Sequence, residues 1–326
     1  MSDPLLNVED LQVEFRTEEG VVRAVDGMTY GLRKGEVLAV LGESGSGKTV
    51  HARSILRILD SPPAYVTGGH VSLDDIELFD LEEADMQEIR GARIAMLFQD
   101  PHTALDPVYT VGGQMIELLQ LRRGVSRREA RNEAVSLLAR VGIPSPEARL
   151  KAYPHQLSGG IAQRVMVAMA IALGPDVLLA DEPTSSLDVT VQAQILELLR
   201  SIVAESEMAM VLITHNLAVA VGLADRIAVM YAGQLVEIGR ARDVYAKPAH
   251  PYTAALLRSI PDINVREERL PAIKGAPPNL LHLPPGCPFT PRCPYATEIC
   301  FEQMPPLEPV SEGHASACWH AAEVQR

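Results

Sequence analysis

The sequence predicts an α/β fold with an antiparallel β portion, a helical insert and a loop-rich C-terminal extension. Three observations predict it. Val37–Leu41 is a short unbroken apolar run, followed by the glycine-rich stretch 42–49 and a helix-forming segment through Leu59. A second apolar run, Val177–Ala180, ends in Asp181-Glu182-Pro183. Unbroken runs of this length suit strands buried on both faces, the hallmark of a sheet covered by helices. After about Lys247 prolines dominate, from Pro248, Pro251, Pro261 and Pro271 to Pro288, Pro291 and Pro294, so no second α/β domain follows.

The elements follow in order. Leu5–Phe15 and Val21–Leu32 alternate loosely around a turn at Glu18-Glu19-Gly20 and read as antiparallel strands. His70–Leu78 reads as a small edge strand, and Ile94–Phe98 as an apolar strand ending at Gln99. Asp100–Asp106 is turn-rich, with Pro101 and Pro107 nearby. Val111–Leu121 and Arg127–Val141 have helical spacing and belong to an insert from about residue 100 to 173. Ile161–Leu173 is apolar nearly all round, predicting a buried helix with Ser158 as its N-cap. Val189–Ala204 is an amphipathic helix, Met210–Thr214 a strand ending in His215, and Ile227–Tyr231 a strand whose return begins at Gly233. The extension lacks the pattern of an apolar core, so the cysteines are the candidates for fixing it.

Composition bounds the function. The 326 residues suffice for a sizeable core. Net charge is −13 and aromatics make up 4% of the chain. With no sustained basic run, duplex binding through phosphates is disfavoured, and few aromatics means few stacking platforms for single strands. Arg122, Arg123, Arg127 and Arg128 lie close together but among acidic residues, as on a solvated helix face. No stretch of about 18 apolar residues is present, and the N-terminus lacks the basic and apolar regions of a signal peptide. The expected location is the cytosol or the cytosolic face of a membrane. All four cysteines follow residue 286, which in a reducing compartment argues against structural disulfides.

Gly42-Glu43-Ser44-Gly45-Ser46-Gly47-Lys48-Thr49 fits G-x-x-x-x-G-K-[ST] without mismatch, and Val50 opens the helix behind it. Gly42, Gly45 and Gly47 let the backbone aim N–H groups at one anion, and the helix start adds its dipole. Lys48 can reach the β/γ-phosphates and the Thr49 hydroxyl can ligate Mg²⁺. Asp181, ending a core strand, can hold Mg²⁺ through water. Glu182 can polarise an attacking water. Gln99 can contact Mg²⁺ and that water, and His215 can bond the γ-phosphate. Phe15 is either an adenine-stacking aromatic or a strand-core residue. Ser158-Gly159-Gly160 at a buried helix start forms a second phosphate cradle, which one chain does not need for one nucleotide. Its use implies a dimer with nucleotides held between subunits.

GESGSGKT, Gln99, LSGG, LLADEP, SSLD with Asp188, and His215 stand in the order seen in the nucleotide-binding subunits of ABC transporters, which this chain resembles over about residues 5–255. The resemblance narrows with QDPHTALDP, DVTVQAQILELL, HPYTAALL and GAPPNLLHLPPGCPFTPRCPYATEIC, which are similar to the ATPase subunits of oligopeptide/dipeptide importers. It implies a P-loop NTPase fold with an ATPase domain at 1–255, and an extension at 256–326 carrying a tetra-cysteine site. It implies ATP and Mg²⁺ as cofactors and a related ATPase subunit as partner in a heterodimer. Two membrane permeases and an extracytoplasmic peptide-binding protein complete the set. Similar sequences serve dipeptides, longer peptides, nickel and some sugars. Three positions depart from the pattern: Ile161 where Gln is usual, Asn216 where Asp is usual, and Ser186 where Ala is frequent. Rival readings are a soluble ABC-type ATPase acting on nucleic acid or ribosomes, and a cluster-bearing redox sensor. The former usually carries paired motors, coiled coils or basic surfaces.

Cys287, Cys293, Cys300 and Cys318 are separated by 5, 6 and 17 residues (288–292, 294–299 and 301–317). Four thiolates can hold Zn²⁺ or a [4Fe–4S] cluster. Zinc sites favour tight C-x₂₋₄-C pairs, absent here, and the resemblance also points to the cluster. Zinc and unliganded thiols stay open as alternatives.

Overall fold

A computed structural model describes residues 3–185, 187–259 and 273–325. Ser186, Pro261 and Pro271 lie outside the described residues. The strands are β1 (Leu6–Thr17), β2 (Gly20–Leu32), β3 (Val37–Leu41), β4 (Ala64–Leu73), β5 (Ile76–Glu77), β6 (Ile94–Leu97), β7 (Val177–Asp181), β8 (Ala209–Thr214), β9 (Arg226–Tyr231), β10 (Gln234–Arg240), β11 (Glu308–Ser311) and β12 (His314–Ser316). The chain forms two compact units. One comprises Met1–Arg33, Val37–Asp80 and Leu212–Arg326; the other comprises Lys34–Glu36 and Leu81–Val211.

The first unit contains an antiparallel sheet of order β2-β1-β4-β5. β1 buries Leu6, Val8, Leu11 and Val13, and the break in alternation coincides with Asp10 at φ 48° and a register shift after Val8. The expected edge strand 70–78 is instead the second half of β4, a turn, and β5; β4 pairs along β1 and is interior. The other strands of this unit run β11-β12-β10-β9-β3, with β3 parallel to β9. All five residues of β3 are buried, which explains its unbroken apolar sequence.

In the second unit β6 and β7 pair in parallel, Ile94 with Val177 through Leu97 with Ala180. Helices Val111–Arg123 and Arg127–Arg140 appear where expected. Thr110 caps the first by accepting the Gly113 N–H. Ser126 and Glu129 form a reciprocal capping box on the second. The turn-rich stretch after Gln99 holds a short helix, Pro101–Ala104, because Asp100 accepts the His102 N–H and proline occupies the first turn. The buried helix spans Gly159–Ala170, not Ile161–Leu173. Its far end stops at Ile171, three residues before Gly174 at φ 70°.

The extension corrects an expectation. Apolar burial and strand pairing hold it, so its proline content was a poor guide. Phe289, 1% exposed, packs edge-on to Tyr231 with ring centroids 5.2 Å apart and lies 5.5 Å from Tyr252. β12 adds to β10, pairing Ser316 with Glu237 and Ala315 with Ile238. The fully buried Glu237 carboxylate accepts from Ala249 N–H (2.7 Å), His250 N–H (2.9 Å) and His314 Nε2 (2.7 Å). One side chain thus ties β10, β12 and the start of helix Pro251–Arg258 together, leaving no bare buried carboxylate.

Candidate functional site

In the first unit β3 delivers the chain into the loop 42–47, and the helix Lys48–Ile55 leaves it. Gly47 caps that helix at φ 102°, and a Cβ there would lie 2.1 Å from the Ala24 carbonyl oxygen. A Cβ at Gly42 would lie 2.4 Å from the Met230 carbonyl oxygen. Both positions therefore demand glycine, by close approach and at Gly47 also by backbone sign. Lys48 is 5% exposed, and its Nζ donates to the carbonyls of Gly42 and Glu43, each at 2.8 Å, so the ammonium is folded over its own loop. Ser46 is buried beside it, while Ser44 and Gly45 are exposed. Thr49 and Val50 follow in the first helical turn.

A cavity of ≈ 360 Å³ opens beside this loop, bounded by Glu43–Ser46, Val22, Tyr231 and the extension's Pro277–Leu281. Phe15 does not line it. Phe15 is half-buried and pairs with Val22 across β1 and β2. His215 follows β8 in an exposed position, and Asn216 caps the next helix by accepting from Ala218 and Val219. Burial drives the His51 imidazole, on the helix behind the loop, down to about 4, and it pairs with the Tyr30 hydroxyl at 2.8 Å.

The second unit gathers the remaining residues. Asp181 ends β7 at 1% exposure. Glu182 follows at φ 44°, a left-handed conformation costly for a side chain with a Cβ. The Gln99 amide donates to Glu182 Oε2 at 3.2 Å. The pairing brings together two residues the sequence linked only by their order. Ser158 stands at the N-cap of helix Gly159–Ala170 with an extended backbone but makes no capping bond through its side chain. Gly160 packs so closely on Val191 that a Cβ would meet its methyl at 2.7 Å, and Gly159 sits against Leu187. Asp188, exposed between these two contact residues, caps the helix Val189–Ser206 by accepting from Thr190 and Val191.

Sequence reasoning missed two residues of the first unit. The Glu43 N–H donates to the Tyr252 hydroxyl at 2.8 Å, and Arg292 grips the Glu43 carboxylate through both terminal nitrogens, at 2.7 and 3.0 Å. No sequence pattern announces contacts across such separations.

The four cysteines are free thiols, with Cys287 and Cys300 buried and Cys293 and Cys318 partly so. Burial pushes Cys287 up, Cys293 up to about 11 and Cys318 up to about 12, and the neighbouring thiols add to each rise. The four therefore lie within electrostatic reach of one another. Among the described residues, however, no group of three or more His, Cys, Asp or Glu side chains is arranged to hold a metal ion. The expected tetra-cysteine metal site is thus not preformed.

A family profile described as "ABC transporter" matches residues 25–185, and one described as "Oligopeptide/dipeptide transporter, C-terminal region" matches 236–300. The chain is 48% identical to a probable peptide ABC transporter ATP-binding protein y4tR of Sinorhizobium fredii, covering 99% of this chain and 97% of that one. It is 47% identical to the dipeptide transport ATP-binding protein DppD of Bacillus subtilis (97% and 95%). It is 46% identical to the oligopeptide transport ATP-binding protein OppD of Escherichia coli (99% and 95%). Among solved structures, the ATP-binding cassette MJ0796 in a dimeric post-hydrolysis state with ADP and Pi aligns at TM-score 0.65 and 28% identity, over 73% of this chain and 99% of that one. Its fold is therefore that of the ABC ATPases, and the chain belongs to the family of ATP-binding proteins of peptide ABC transporters.

Proposed function

We propose that this chain hydrolyses ATP to power import of oligopeptides or dipeptides across the cytoplasmic membrane. The observation that carries the chemistry is the Gln99–Glu182 hydrogen bond directly after the buried Asp181. It holds a carboxylate and a water-orienting amide together beside a metal-binding candidate, in a chain whose other unit carries the phosphate loop. The peptide cargo rests on the relatives and on the matched C-terminal region.

Each residue then has a task. The backbone of Gly42–Gly47 and the start of helix Lys48–Ile55 cradle the phosphates, with Glu43, Ser44 and Ser46 as loop members. Lys48 exchanges its two carbonyl partners for β/γ-phosphate oxygens. Thr49, Gln99 and Asp181 are the residues to hold Mg²⁺, which neutralises phosphate charge. Glu182 accepts the proton of the attacking water as the bond to the γ-phosphate breaks, giving ADP and phosphate. His215 donates to the γ-phosphate. Phe15 offers an aromatic face for the adenine, one strand over from the cavity wall formed by Val22. Ser158, Gly159, Gly160 and Asp188 serve the nucleotide of a second ATPase subunit.

ATP binding closes the dimer and hydrolysis reopens it, because the two nucleotides stabilise different states. The partner is a related subunit rather than a copy, acting under two permeases fed by an extracytoplasmic peptide-binding protein. No helix among the described residues is long and apolar enough to cross a membrane, and we place the chain peripherally on the cytoplasmic face. In this reading residues 1–255 are the motor and 256–326 the extension, and nucleic acid is no partner. Cys287, Cys293, Cys300 and Cys318 are the residues that would hold a [4Fe–4S] cluster, in preference to zinc, and it would add a crosslink to the extension. Anaerobic purification with iron, sulfide and zinc assays separates these outcomes.

The deciding experiment is nucleotide binding and turnover in the full chain. Lys48→Ala abolishes ATP binding. Glu182→Gln binds ATP and lowers turnover by about 10²-fold or more. Undiminished turnover in Glu182→Gln removes that residue from catalysis.

A further inference from the structure

The first x position of the phosphate loop is held at every polar atom. The Glu43 N–H donates to the Tyr252 hydroxyl, its carbonyl oxygen accepts from Lys48, and its carboxylate accepts both terminal nitrogens of Arg292. Two of these three partners come from the far end of the chain. Arg292 is itself fixed: its side chain is 5% exposed, Nε donates to the Lys274 carbonyl at 3.0 Å, and Nη1 also reaches the Tyr231 hydroxyl at 3.2 Å. Tyr231 and Tyr252 in turn pack on Phe289, three residues before Arg292. Glu43 thus meets a preorganised guanidinium fork on a rigid aromatic platform, not a wandering surface arginine.

Resting on the phosphate-loop reading, we propose that Arg292 is a positioning residue through which the C-terminal extension sets the nucleotide affinity of the loop. The geometry explains why such a grip is useful. In the present arrangement Lys48 bonds the Gly42 and Glu43 carbonyls. To reach a phosphate it must leave them, and the loop then loses its internal brace. Arg292 and Tyr252 hold Glu43 from outside while Lys48 is occupied elsewhere. The loop enters the complex already shaped, and the ordering cost on binding falls. The same extension supplies Pro277–Leu281 to the cavity that Glu43–Ser46 and Val22 also line, so extension and loop share a wall at the place where a nucleotide would lie.

The test uses the full chain with ATP as probe, reading dissociation constant, KM and kcat. Arg292→Ala and Glu43→Gln each raise Kd and KM for ATP by about tenfold while kcat changes less than threefold. The double variant is no worse than the weaker binder of the two, because both remove one interaction. Arg292→Lys, which keeps charge but loses the fork, falls between. A variant that merely loosened the fold would not give this split or this order. If Arg292→Ala does not fold, Glu43→Gln and Arg292→Lys carry the same comparison. A Kd within twofold of the parent for a folded Arg292→Ala, or additive effects in the double variant, overturns the proposal. Lys48→Ala serves as reference: its loss of binding alongside normal Arg292 variants condemns only the role given to Arg292, whereas its normal binding condemns the phosphate-loop reading and that role together.

Discussion

Replacing Glu237 by alanine should loosen the extension more than any single cysteine change, and its cost follows from the hydrogen bonds. The carboxylate is fully buried and accepts three N–H groups, from Ala249, His250 and His314. Alanine strands all three donors in a site without solvent. A stranded buried donor costs about 1–3 kcal/mol, so the sum starts near 3 kcal/mol even if relaxation rescues much of it. Glutamine is a sharper probe. With its oxygen at the Oε1 position it keeps Ala249 and His314 but turns an NH₂ toward the His250 N–H. The flipped amide keeps His250 but confronts both Ala249 and His314. The better placement therefore leaves one donor facing a donor, for a cost of about 1–3 kcal/mol.

The order is therefore parent, then Glu237→Gln, then Glu237→Ala. Urea unfolding gives the free energies, and hydrogen exchange at β12 and at residues 249–252 shows whether the loss is local. A cost below about 1 kcal/mol for alanine, or equal costs for both variants, would refute the claim that this carboxylate ties the three segments.

Two further outcomes are expected. Gly47→Ala should abolish ATP binding, since φ 102° disfavours a side chain and the new Cβ would stand 2.1 Å from the Ala24 carbonyl oxygen; Gly45→Ala, at φ 79° with open space around it, should weaken binding far less, and calorimetric titration compares them. Stability should fall on acidification. Burial lowers His51 to about 4 and His250 to about 3, so between an unfolded value near 6.5 and these the unfolded chain binds more protons. Their contribution is complete above about pH 6.5 and is lost progressively below it, on the order of 3 kcal/mol for His51 alone, and His51→Gln should flatten the urea midpoint against pH.

How much was legible depended on whether a residue's role is local. β3 and β7 were readable because strands buried on both faces need apolar residues at every position. Gly42 and Gly47 were readable because close backbone approach admits nothing else at either position. The Gln99–Glu182 pair was visible only as an order of motifs, yet the fold realises it as one hydrogen bond. The left-handed turn at Glu182 had no sequence signal, because glutamate is not a residue that favours it. The helix Leu217–Leu223 was overlooked since LAVAVGL is too short and too uniformly apolar to show a period.

The extension was misjudged for a physical reason that also bears on its role. Counting prolines measures how little regular structure a segment can form, not how much surface it buries. Phe289 alone meets both Tyr231 and Tyr252, and the extension's short strand β12 borrows its ladder from β10. Because aromatic packing, strand pairing and Glu237 already fix these residues, the thiols are not needed as staples. Their state can then change without unfolding the segment. Cys293 follows Arg292 directly, and Arg292 grips Glu43 of the glycine-rich loop. Cys293 therefore stands in a segment that is already in place, one peptide bond from a side chain that touches Glu43. A tail held only by its cysteines would disorder on losing that support, whereas this one keeps the Arg292 grip on Glu43.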